Sequence, residues 1–399
     1  MPEGHFHWHK NSRAFAGSKE VALRSTDTSA AIHPEPVDEA LNRLYSAISG
    51  RGVFCISDTA LPALDSLQAG QFATLTGGTS GSPKVIVRTH ASWIKSFDTN
   101  AQMFSYVDTD SIAVLGSLNH SLALYGIMEG AHVGICVHAL SALKPSEQSA
   151  HMQDHECTIL YATPTQLRLL PKNKALLGIR LILCGGGALS DEVRKHVMTV
   201  CPNANLHVFY GAAETSFIAL GGPDTPAGSV GQPYPGVDLD VRPSGTSDTG
   251  EIWVRSPYLC LQYLYGDSDH TQRKGDWLTV GEHGYLDGSG NLFLRGRAGR
   301  IITIADQTIY PEELEAQFSA LQGISHCAVL GRPDAMRGHH LVAVLEGKAD
   351  ASLAQMLRDY CTDNGLVSPR EVAFLDQFPL LASGKPDLQR IAALTGCAL

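Results

Sequence analysis

The chain has 399 residues, of which 44% are hydrophobic and 18% charged, and its 40 acidic side chains outnumber 30 basic ones, giving a formal net charge of −10. This length predicts about two or three globular domains. The acidic balance argues against a nucleic-acid-binding protein, which would be basic, and no stretch approaches the roughly 20 apolar residues of a membrane-spanning helix.

Nine cysteines are scattered through the chain without a Cys-x-x-Cys pair. An odd number of unclustered cysteines is typical of free thiols in a reducing compartment rather than of a disulfide framework. The opening stretch MPEGHFHWHKNSR contains no apolar signal core. The sequence therefore predicts a cytoplasmic protein without a transmembrane segment.

Three histidines alternate near the N-terminus. His5, His7 and His9 would share one face of a strand, as a metal site requires. The polar character of this segment instead favours a frayed terminus.

Helix-like and strand-like segments then alternate along the chain. Apolar residues on one face predict a helix over Asp38–Ser49, and Val53–Ser57 is predicted to form a short buried strand. Ser190 is expected to begin a helix within Leu189–Val200. This alternation favours an α/β layered domain with a mostly parallel sheet. The remaining buried strands are predicted at Ser111–Leu115, Thr158–Tyr161, Ile179–Leu183 and Asn205–Tyr210.

The stretch Thr76-Gly-Gly-Thr-Ser-Gly-Ser-Pro-Lys84 follows the apolar run Phe72–Leu75. Bare backbone amides, hydroxyls and a cation together are typical of an anion-binding loop, most plausibly for phosphate. The stretch is not a Walker A loop, because Pro83 separates the glycines from the lysine.

Two further polar segments follow predicted strands. Cys184-Gly-Gly-Gly-Ala-Leu189 and Tyr210-Gly-Ala-Ala-Glu-Thr215 each begin where an apolar run ends. Ligands of open α/β sheets bind at the carboxyl ends of strands, so both segments suit a binding site. Taken singly, the glycines are equally compatible with a tight turn, and Glu214 with a solvated loop carboxylate.

The character of the sequence changes after about residue 228. Gly, Pro and Asp turns become frequent, and Gly250–Arg255 alternates apolar with polar residues, which predicts an antiparallel, partly exposed sheet. Residues 301–399, with helical patterns at Pro311–Leu321 and Leu353–Asn364, are expected to form a compact α+β domain. Two more motif segments occur here, Gly281–Asp287 followed by Gly296-Arg297, and Ser383–Asp387. The lysine of the last segment, Lys385, is by itself compatible with a surface turn.

In this order and spacing, the five segments resemble the acyl-adenylating (AMP-forming) superfamily, which includes acyl-CoA synthetases, aryl-acid and peptide-synthetase adenylation domains and luciferases. The resemblance runs from about Thr74 to Arg390. It implies a large layered N-terminal α/β domain with mostly parallel sheets plus a small antiparallel subdomain, over residues 1–299. A small mobile α+β C-terminal domain, residues 300–399, would carry the catalytic lysine. The phosphate loop starts early for this superfamily, so the resemblance implies a short member with a reduced N-terminal portion.

The resemblance also implies roles for individual residues. Lys385, Thr215 and Glu214 would be catalytic, with the Thr215 hydroxyl near the α-phosphate, and Glu214 with Thr79 would hold Mg²⁺. ATP would be bound by the phosphate loop, by a wall against adenine, by an aromatic ring, by a ribose contact from Glu282 and by a second ribose or phosphate contact from Arg297. The residues implied are Thr76, Gly77, Gly78, Thr79, Ser80, Gly81 and Lys84, then Gly185, Gly186, Gly187 and Ala188, then Tyr210 and Gly211, then Glu282 and Arg297.

Several positions depart from the superfamily pattern. Glu282 stands where an aspartate usually grips the ribose hydroxyls, and one extra methylene keeps the charge but moves the carboxylate. Ala305 and Asp306 stand where a glycine pair often borders the pantetheine tunnel. Arg300 occupies the hinge position, where an Asp or Lys is usual.

The acyl pocket is expected near Leu118–Gly126. This stretch contains no acidic residue, and a buried substrate ammonium without a partner would be costly, so the acid is expected to lack an α-amine. The candidates for pocket lining also suit ordinary core packing, and they leave a fatty chain and an aromatic ring equally open. They are His120, Leu124, Tyr125, Phe217 and Ile218.

The resemblance thus implies an ATP- and Mg²⁺-dependent ligase that activates a small carboxylic acid as an acyl-adenylate and transfers it to a thiol, with coenzyme A as the expected acceptor. One alternative is an acid–AMP ligase that loads the phosphopantetheine of a carrier protein. Another is a non-catalytic nucleotide-binding module that keeps the fold.

Overall fold

The structure, a computed structural model, describes residues 4–25, 30–61, 64–76, 84–243, 248–305, 307–381 and 386–398. The helices are α1 Val37–Ser49, α2 His90–Met103, α3 Ser121–Val133, α4 Pro145–Asp154, α5 Pro164–Leu169, α6 Asp191–Val200, α7 Pro311–Phe318, α8 Ala351–Asp363 and α9 Leu388–Thr395. The strands of the first half are β1 Ala14–Ala16, β2 Lys19–Glu20, β3 Ala31–Ile32, β4 Cys55–Ile56, β5 Gln71–Thr76, β6 Lys84–Thr89, β7 Ser111–Val114, β8 Cys136–Ala139, β9 Ile159–Ala162, β10 Leu181–Cys184, β11 Asn205–Ala212 and β12 Ser216–Gly221. Those of the second half are β13 Ser229–Pro233, β14 Asp238–Pro243, β15 Gly250–Arg255, β16 Gln262–Tyr265, β17 Gln272–Lys274, β18 Trp277–Thr279, β19 Glu282–Leu286, β20 Leu292–Arg297, β21 Ile302–Ile304, β22 Gln307–Ile309, β23 Cys327–Asp334, β24 Gly338–Glu346 and β25 Glu371–Leu375.

The largest sheet begins with a run of parallel strands, β1-β8-β7-β9-β10-β11. Its two faces carry separate cores. Ile112 and Val114 join helices α1, α2 and α3 on one face, whereas Ala113 and Leu115 join α4, α5 and α6 on the other. Because strands covered on both faces must be apolar throughout, the continuous apolar runs of the sequence are explained. The predicted layered α/β domain is confirmed.

From β11 onward the same sheet becomes antiparallel. β11 pairs with β12, β12 with β13, β13 with β20 and β20 with β19. The strand predicted at Gly250–Arg255 is β15, and it pairs antiparallel with β14, β18 and β19. The predicted change of architecture after residue 228 is therefore also confirmed.

A second sheet, β16-β6-β5-β4-β3, presents the glycine-rich stretch. β5 and β6 form an antiparallel pair in register from Gln71 opposite Thr89 to Thr76 opposite Lys84. The residues between Thr76 and Lys84 thus connect the two strands at one end of this sheet.

The C-terminal region forms its own small sheet, β23-β24-β25. Along β23, Cys327 and Val329 face a core with α7 and α8, whereas Ala328 and Leu330 face a core with α9. This small α+β unit agrees with the fold class predicted for the C-terminal region.

Most predicted helices are present with shifted ends. α6 begins at Asp191, and the Ser190 hydroxyl caps it by accepting a hydrogen bond from the Val193 amide at 3.3 Å. The helix predicted to reach Leu321 ends at Phe318, and the next one covers Ala351–Asp363. The strand predicted at Val53–Ser57 is limited to Cys55–Ile56.

The prediction of a frayed N-terminus is wrong for the residues described. Phe6 is only 3% exposed and packs against the rings of Phe72 and Phe97. Its amide donates to His90 Nδ1 at 3.1 Å, and the His9 amide donates to a carbonyl of α3 at 2.8 Å. Buried aromatic surface at the position between the alternating histidines outweighs their polarity. Among the described residues, the three N-terminal histidines do not form a three-ligand cluster.

None of the described helices is both long enough and apolar enough to cross a membrane.

Candidate functional site

The hairpin β5–β6 carries the first part of the candidate site. Thr76 and Lys84 are opposite each other at its end. The Lys84 Nζ lies 5.9 Å from the centre of the Tyr263 ring, on the neighbouring strand β16. The predicted phosphate-loop residues Gly77, Gly78, Thr79, Ser80 and Gly81 lie outside the described residues.

Glu214 lies close to this hairpin through the same tyrosine. The Tyr263 hydroxyl donates to Glu214 Oε1 at 2.7 Å and lies 3.0 Å from Thr271 Oγ1. Burial, followed by the negative charge of Glu214, raises the pKa of Tyr263, so the phenol stays a donor. A carboxylate and a cation from distant parts of the chain therefore flank one phenol ring.

Arg88 anchors the loop that carries Glu214, and sequence reasoning missed it. This side chain is 1% exposed, and its Nη1 donates to the Tyr258 carbonyl at 2.7 Å while Nε and Nη2 donate to the Ala213 carbonyl. The Cys260 amide in turn donates to the Glu214 carbonyl at 2.7 Å. Burial lowers the pKa of Arg88 to about 10, which keeps the guanidinium charged at neutral pH. The position of Glu214 is thus fixed by backbone contacts on both sides.

The turn after β11 explains the residues around Glu214. Thr215 is fully buried, and its Oγ1 accepts from the Ala212 amide at 3.0 Å. Ser216 adopts φ 58°, and a Cβ on Gly211 would lie 1.9 Å from the Ser216 carbonyl oxygen. Only glycine fits at position 211. The hydroxyl of Thr215 is directed into the turn in this structure, although the sequence interpretation placed it near a phosphate.

The glycine triplet lies beside this turn, at the end of the adjacent parallel strand β10. A Cβ on Gly185 would lie 2.1 Å from the Phe209 ring, and Gly186 adopts φ 84°. Gly186, Gly187 and Ala188 are exposed. Residues 186–188 therefore form an accessible backbone wall at the strand end, and their contact with adenine stays a prediction.

The two predicted ribose contacts lie next to each other. Glu282 and Arg297 are opposite each other on β19 and β20, and Arg297 Nε donates to Glu282 Oε1 at 3.0 Å. Burial and then the negative charge of Glu282 raise the pKa of Tyr210. Tyr210, the predicted aromatic contact, thus interacts electrostatically with Glu282 and Arg297.

The predicted acyl-pocket residues divide into one exposed side chain and four core residues. His120 is exposed and precedes α3. Leu124, Tyr125, Phe217 and Ile218 are each at most 5% exposed and belong to the main core. Tyr125 and Phe217 pack edge to face at 5.2 Å, and this packing matches the core alternative.

The junction with the C-terminal region is a network of charges. Arg300 pairs with Glu315 at 2.6 Å and with Glu312 at 3.4 Å, and it donates to the Val329 carbonyl at 3.0 Å. Helix α7 also contacts β20 through the ion pair of Arg295 with Glu313. These contacts hold the predicted hinge position against the C-terminal unit.

Ala305 adopts φ 55°, the left-handed conformation that favours glycine, in agreement with the predicted replacement of a glycine there. Its neighbour Asp306 lies outside the described residues. The predicted catalytic lysine, Lys385, also lies outside them.

Comparisons with known proteins agree with this arrangement. Residues 26–264 match the family model described as AMP-binding enzyme, and residues 313–385 match the AMP-binding enzyme C-terminal domain. The chain is 28% identical over 354 residues to an uncharacterized acyl–CoA ligase, YhfT, of Bacillus subtilis, covering 84% of this chain and 72% of that protein. It is 27% identical over 322 residues to a second relative, the 2-succinylbenzoate–CoA ligase of Lactococcus lactis, covering 78% of this chain and 68% of that ligase.

A solved structure of o-succinylbenzoate CoA synthetase from Bacillus subtilis, in complex with an acyl-adenylate intermediate, superposes with a TM-score of 0.71. It is 25% identical, and the match covers 80% of this chain and 68% of that one. The chain spans 61% of a further relative from Staphylococcus epidermidis. The match thus leaves part of the length of each of these relatives uncovered.

Proposed function

The chain belongs to the AMP-binding enzyme family, and from this premise we propose that it is an ATP-dependent acid–thiol ligase. A substrate carboxylate attacks the α-phosphorus of ATP, and the bond to the β-phosphate breaks to release pyrophosphate. The thiol of coenzyme A then attacks the acyl carbon, AMP leaves, and the thiol proton passes to solvent. The products are an acyl thioester, AMP and pyrophosphate. The single observation that carries this proposal is the convergence of Lys84, Tyr263 and Glu214 beside the glycine wall.

Glu214 is the residue that fits a metal ion. Its Oε1 accepts one hydrogen bond from Tyr263, and a carboxylate has capacity for several more ligands. Hard oxygen donors of this kind suit Mg²⁺. Together with Thr79, Glu214 would hold Mg²⁺, which supplies positive charge for phosphate oxygens when bound.

The remaining residues bind and orient the nucleotide. Lys84 supplies a positive charge at the hairpin that contains the phosphate loop, and this charge offsets the repulsion between two anionic reactants. Glu282 accepts hydrogen bonds from the ribose hydroxyls, with Arg297 holding its carboxylate in place. Gly185 to Ala188 and Tyr210 form the adenine contact.

Lys385 supplies the positive charge of the C-terminal region. We assign to it the stabilisation of negative charge on the α-phosphate during attack, a contribution on the order of 10²–10³ in rate for comparable donors. Rotation at Arg300 would withdraw this lysine and bring the Ala305 loop toward the site for thioester formation.

The acyl substrate is a carboxylic acid without an α-amine, and the acceptor is coenzyme A. The names of the relatives, both acyl–CoA ligases, support this acceptor. A carrier-protein phosphopantetheine has the same thiol chemistry. Thioester formation is therefore measured with free coenzyme A and, separately, with a carrier protein.

Pyrophosphate exchange tests the proposal. Labelled pyrophosphate should enter ATP only when the correct acid is present, in a panel of fatty, aryl and dicarboxylic acids. Lys385→Ala and Glu214→Gln should each lower this exchange by about 10²-fold or more while the fold survives. The exposed residues Lys348 and Glu192 provide matched controls, as Lys348→Ala and Glu192→Gln, which should leave exchange unchanged. Absence of exchange with every acid would overturn the proposal and favour a binding module.

A further inference from the structure

A cluster of three imidazoles lies away from the candidate adenylate site. His138 is on strand β8, His151 is on helix α4, and His155 follows the end of that helix. One ligand nitrogen from each lies within 4.8 Å of the others. Among the described residues, this is the one group of three histidine, cysteine or acidic side chains whose ligand atoms lie so close together.

Two of the three histidines are buried, and all three rings are closely packed. His138 and His151 are 2% and 5% exposed, and His138 Nδ1 lies 2.8 Å from His151 Nε2. Phe15 stacks on the His138 ring at 4.5 Å, and the His151 and His155 rings stack at 4.1 Å. These two nitrogens therefore share a hydrogen bond inside an aromatic environment, and a bound ion would take the place of the shared proton.

We propose that His138, His151 and His155 form a binding site for a divalent transition-metal ion, with Zn²⁺ as the expected ion. Imidazole ligands favour Zn²⁺, Cu²⁺ and Ni²⁺ over Mg²⁺ and Ca²⁺. Zn–N bonds of about 2.0–2.1 Å in a tetrahedral site place the nitrogens a little over 3 Å apart. One pair of nitrogens in the cluster is 2.8 Å apart and the ligand nitrogens all lie within 4.8 Å of one another, so the three rings are close enough to share one ion.

The spacing of the histidines supports the geometry. His151 lies in the last turn of α4 and His155 is the residue that follows the helix, and their stacked rings show that both side chains lie on the same side. His155 is exposed, which gives an ion a route from solvent and allows a water molecule to be the fourth ligand. A bound ion would join the end of α4 to strand β8 and would stabilise this edge of the large sheet by mass action.

This inference does not depend on the proposed ligase function. β8 and β11 are separated in the sheet by β7, β9 and β10, so the cluster and the Glu214 loop are on different parts of it. The metal site can be tested without any activity measurement.

The test uses the full-length protein after treatment with a chelator. Zn²⁺ binding is measured by equilibrium dialysis, and Co²⁺ is added as a spectroscopic probe whose visible bands report tetrahedral nitrogen coordination. The wild-type protein should bind one equivalent at this site, and Zn²⁺ should raise its thermal midpoint. His155→Gln, at an exposed position, should keep the metal-free thermal midpoint but weaken Zn²⁺ binding at least about tenfold, because even outer-shell partners of metal ligands contribute 10–100-fold.

The N-terminal histidines provide the matched control, because the His7 and His9 rings are also near each other, with centres 6.2 Å apart. His9→Gln should bind Zn²⁺ and Co²⁺ as the wild-type protein does. Equal binding by wild type and His155→Gln, or an equal loss in His9→Gln, would overturn the proposal. Failure of the wild-type protein to bind either ion would overturn it as well, and none of these results would bear on pyrophosphate exchange.

Discussion

Glu129 should make the stability of this protein depend on pH in a direction opposite to that of its buried histidines. The carboxyl group is fully buried in α3 and accepts hydrogen bonds from Asn100 Nδ2 at 2.8 Å, Tyr106 at 3.1 Å and Tyr161 at 2.6 Å. These donors favour the charged form, but burial is the larger effect and raises the pKa of Glu129 from 4.5 to about 7. We predict that Glu129→Gln removes the resulting pH dependence.

The sign and size of the effect follow from the difference in proton binding. Below about pH 4.5, Glu129 is protonated in both the folded and the unfolded chain, and its contribution to stability is fully present. As the pH rises through about 7, the folded protein has to ionise a buried group, and that stability is lost. Each pKa unit corresponds to about 1.4 kcal/mol, so the loss is about 3 kcal/mol in total and about 2.5 kcal/mol between pH 5 and pH 8.

The assay is denaturant unfolding at pH 5 and pH 8, followed by tryptophan fluorescence. The free energy of unfolding of Glu129→Gln minus that of the wild type should increase by about 2.5 kcal/mol from pH 5 to pH 8. Replacing the carboxyl group by an amide lowers the free energy of unfolding by about 1–3 kcal/mol at both pH values, because one hydrogen-bond donor loses its acceptor. This constant cost cancels in the comparison.

Two comparisons isolate the effect. Burial lowers the pKa of His90, His132 and His138, so these groups reduce stability as the pH falls, equally in both proteins. Glu192→Gln, on the exposed side of α6, should give the same pH profile as the wild type. If the profiles of wild type and Glu129→Gln are parallel, the carboxyl group does not titrate in this range and the reasoning is refuted.

Two further substitutions test the candidate site. Gly185→Ala would place a Cβ 2.1 Å from the Phe209 ring, and we expect a loss of about 1–3 kcal/mol in unfolding free energy together with weaker ATP binding. Gly187→Ala is its control, because the nearest atom to that Cβ is 3.8 Å away, and equal stability of the two variants would contradict the argument. Tyr263→Phe removes the 2.7 Å hydrogen bond to Glu214, and since a bond to a charged group contributes about 1.5–3 kcal/mol, pyrophosphate exchange should need about 10–100-fold more Mg²⁺. An unchanged Mg²⁺ dependence would show that the phenol does not position this carboxylate.

The layered fold was predictable because its strands are buried on both faces. The apolar run that ends at Cys184 lies between two cores, with Leu181 and Leu183 in one and Ile182 and Cys184 in the other. Strands of this kind show as continuous apolar segments, and the glycine- and acid-containing segments that follow them mark the strand ends. The positions of Gly185 and Glu214 at neighbouring strand ends follow from the same pattern.

Contacts between distant segments were not predictable in the same way. Arg88 binds carbonyl groups 125 and 170 residues away, and Tyr263 binds Glu214 from a strand 49 residues later. One local signal existed, because Arg88 is a charged residue that follows the apolar run Val85–Val87 within a strand. A buried charge in a strand requires partners, and here these partners are the backbone of the functional loop.

The prediction for the N-terminal segment was wrong because it was based on the wrong residues. The polar histidines led to the prediction of a frayed terminus, but the aromatic side chain between them determines the structure. Phe6 is buried among rings from β5 and α2. The histidine cluster with metal-binding geometry comes instead from His138, His151 and His155. His138 lies on a strand, whereas His151 and His155 lie at the end of the next helix. Their separation in the sequence therefore gave no sign that they are close in space.

The charge of Glu214 serves the fold as well as the proposed chemistry. Arg88 is a buried cation whose hydrogen bonds go to neutral carbonyl groups, and the negative charge of Glu214 is among the interactions that favour its charged form. The carboxylate thereby offsets part of the cost of burying the guanidinium that holds its own loop. Loss of activity in Glu214→Gln consequently has two physical sources, a lost metal ligand and a weakened loop anchor. Tyr263→Phe separates them, because it keeps both charges and changes only the orientation of the carboxylate.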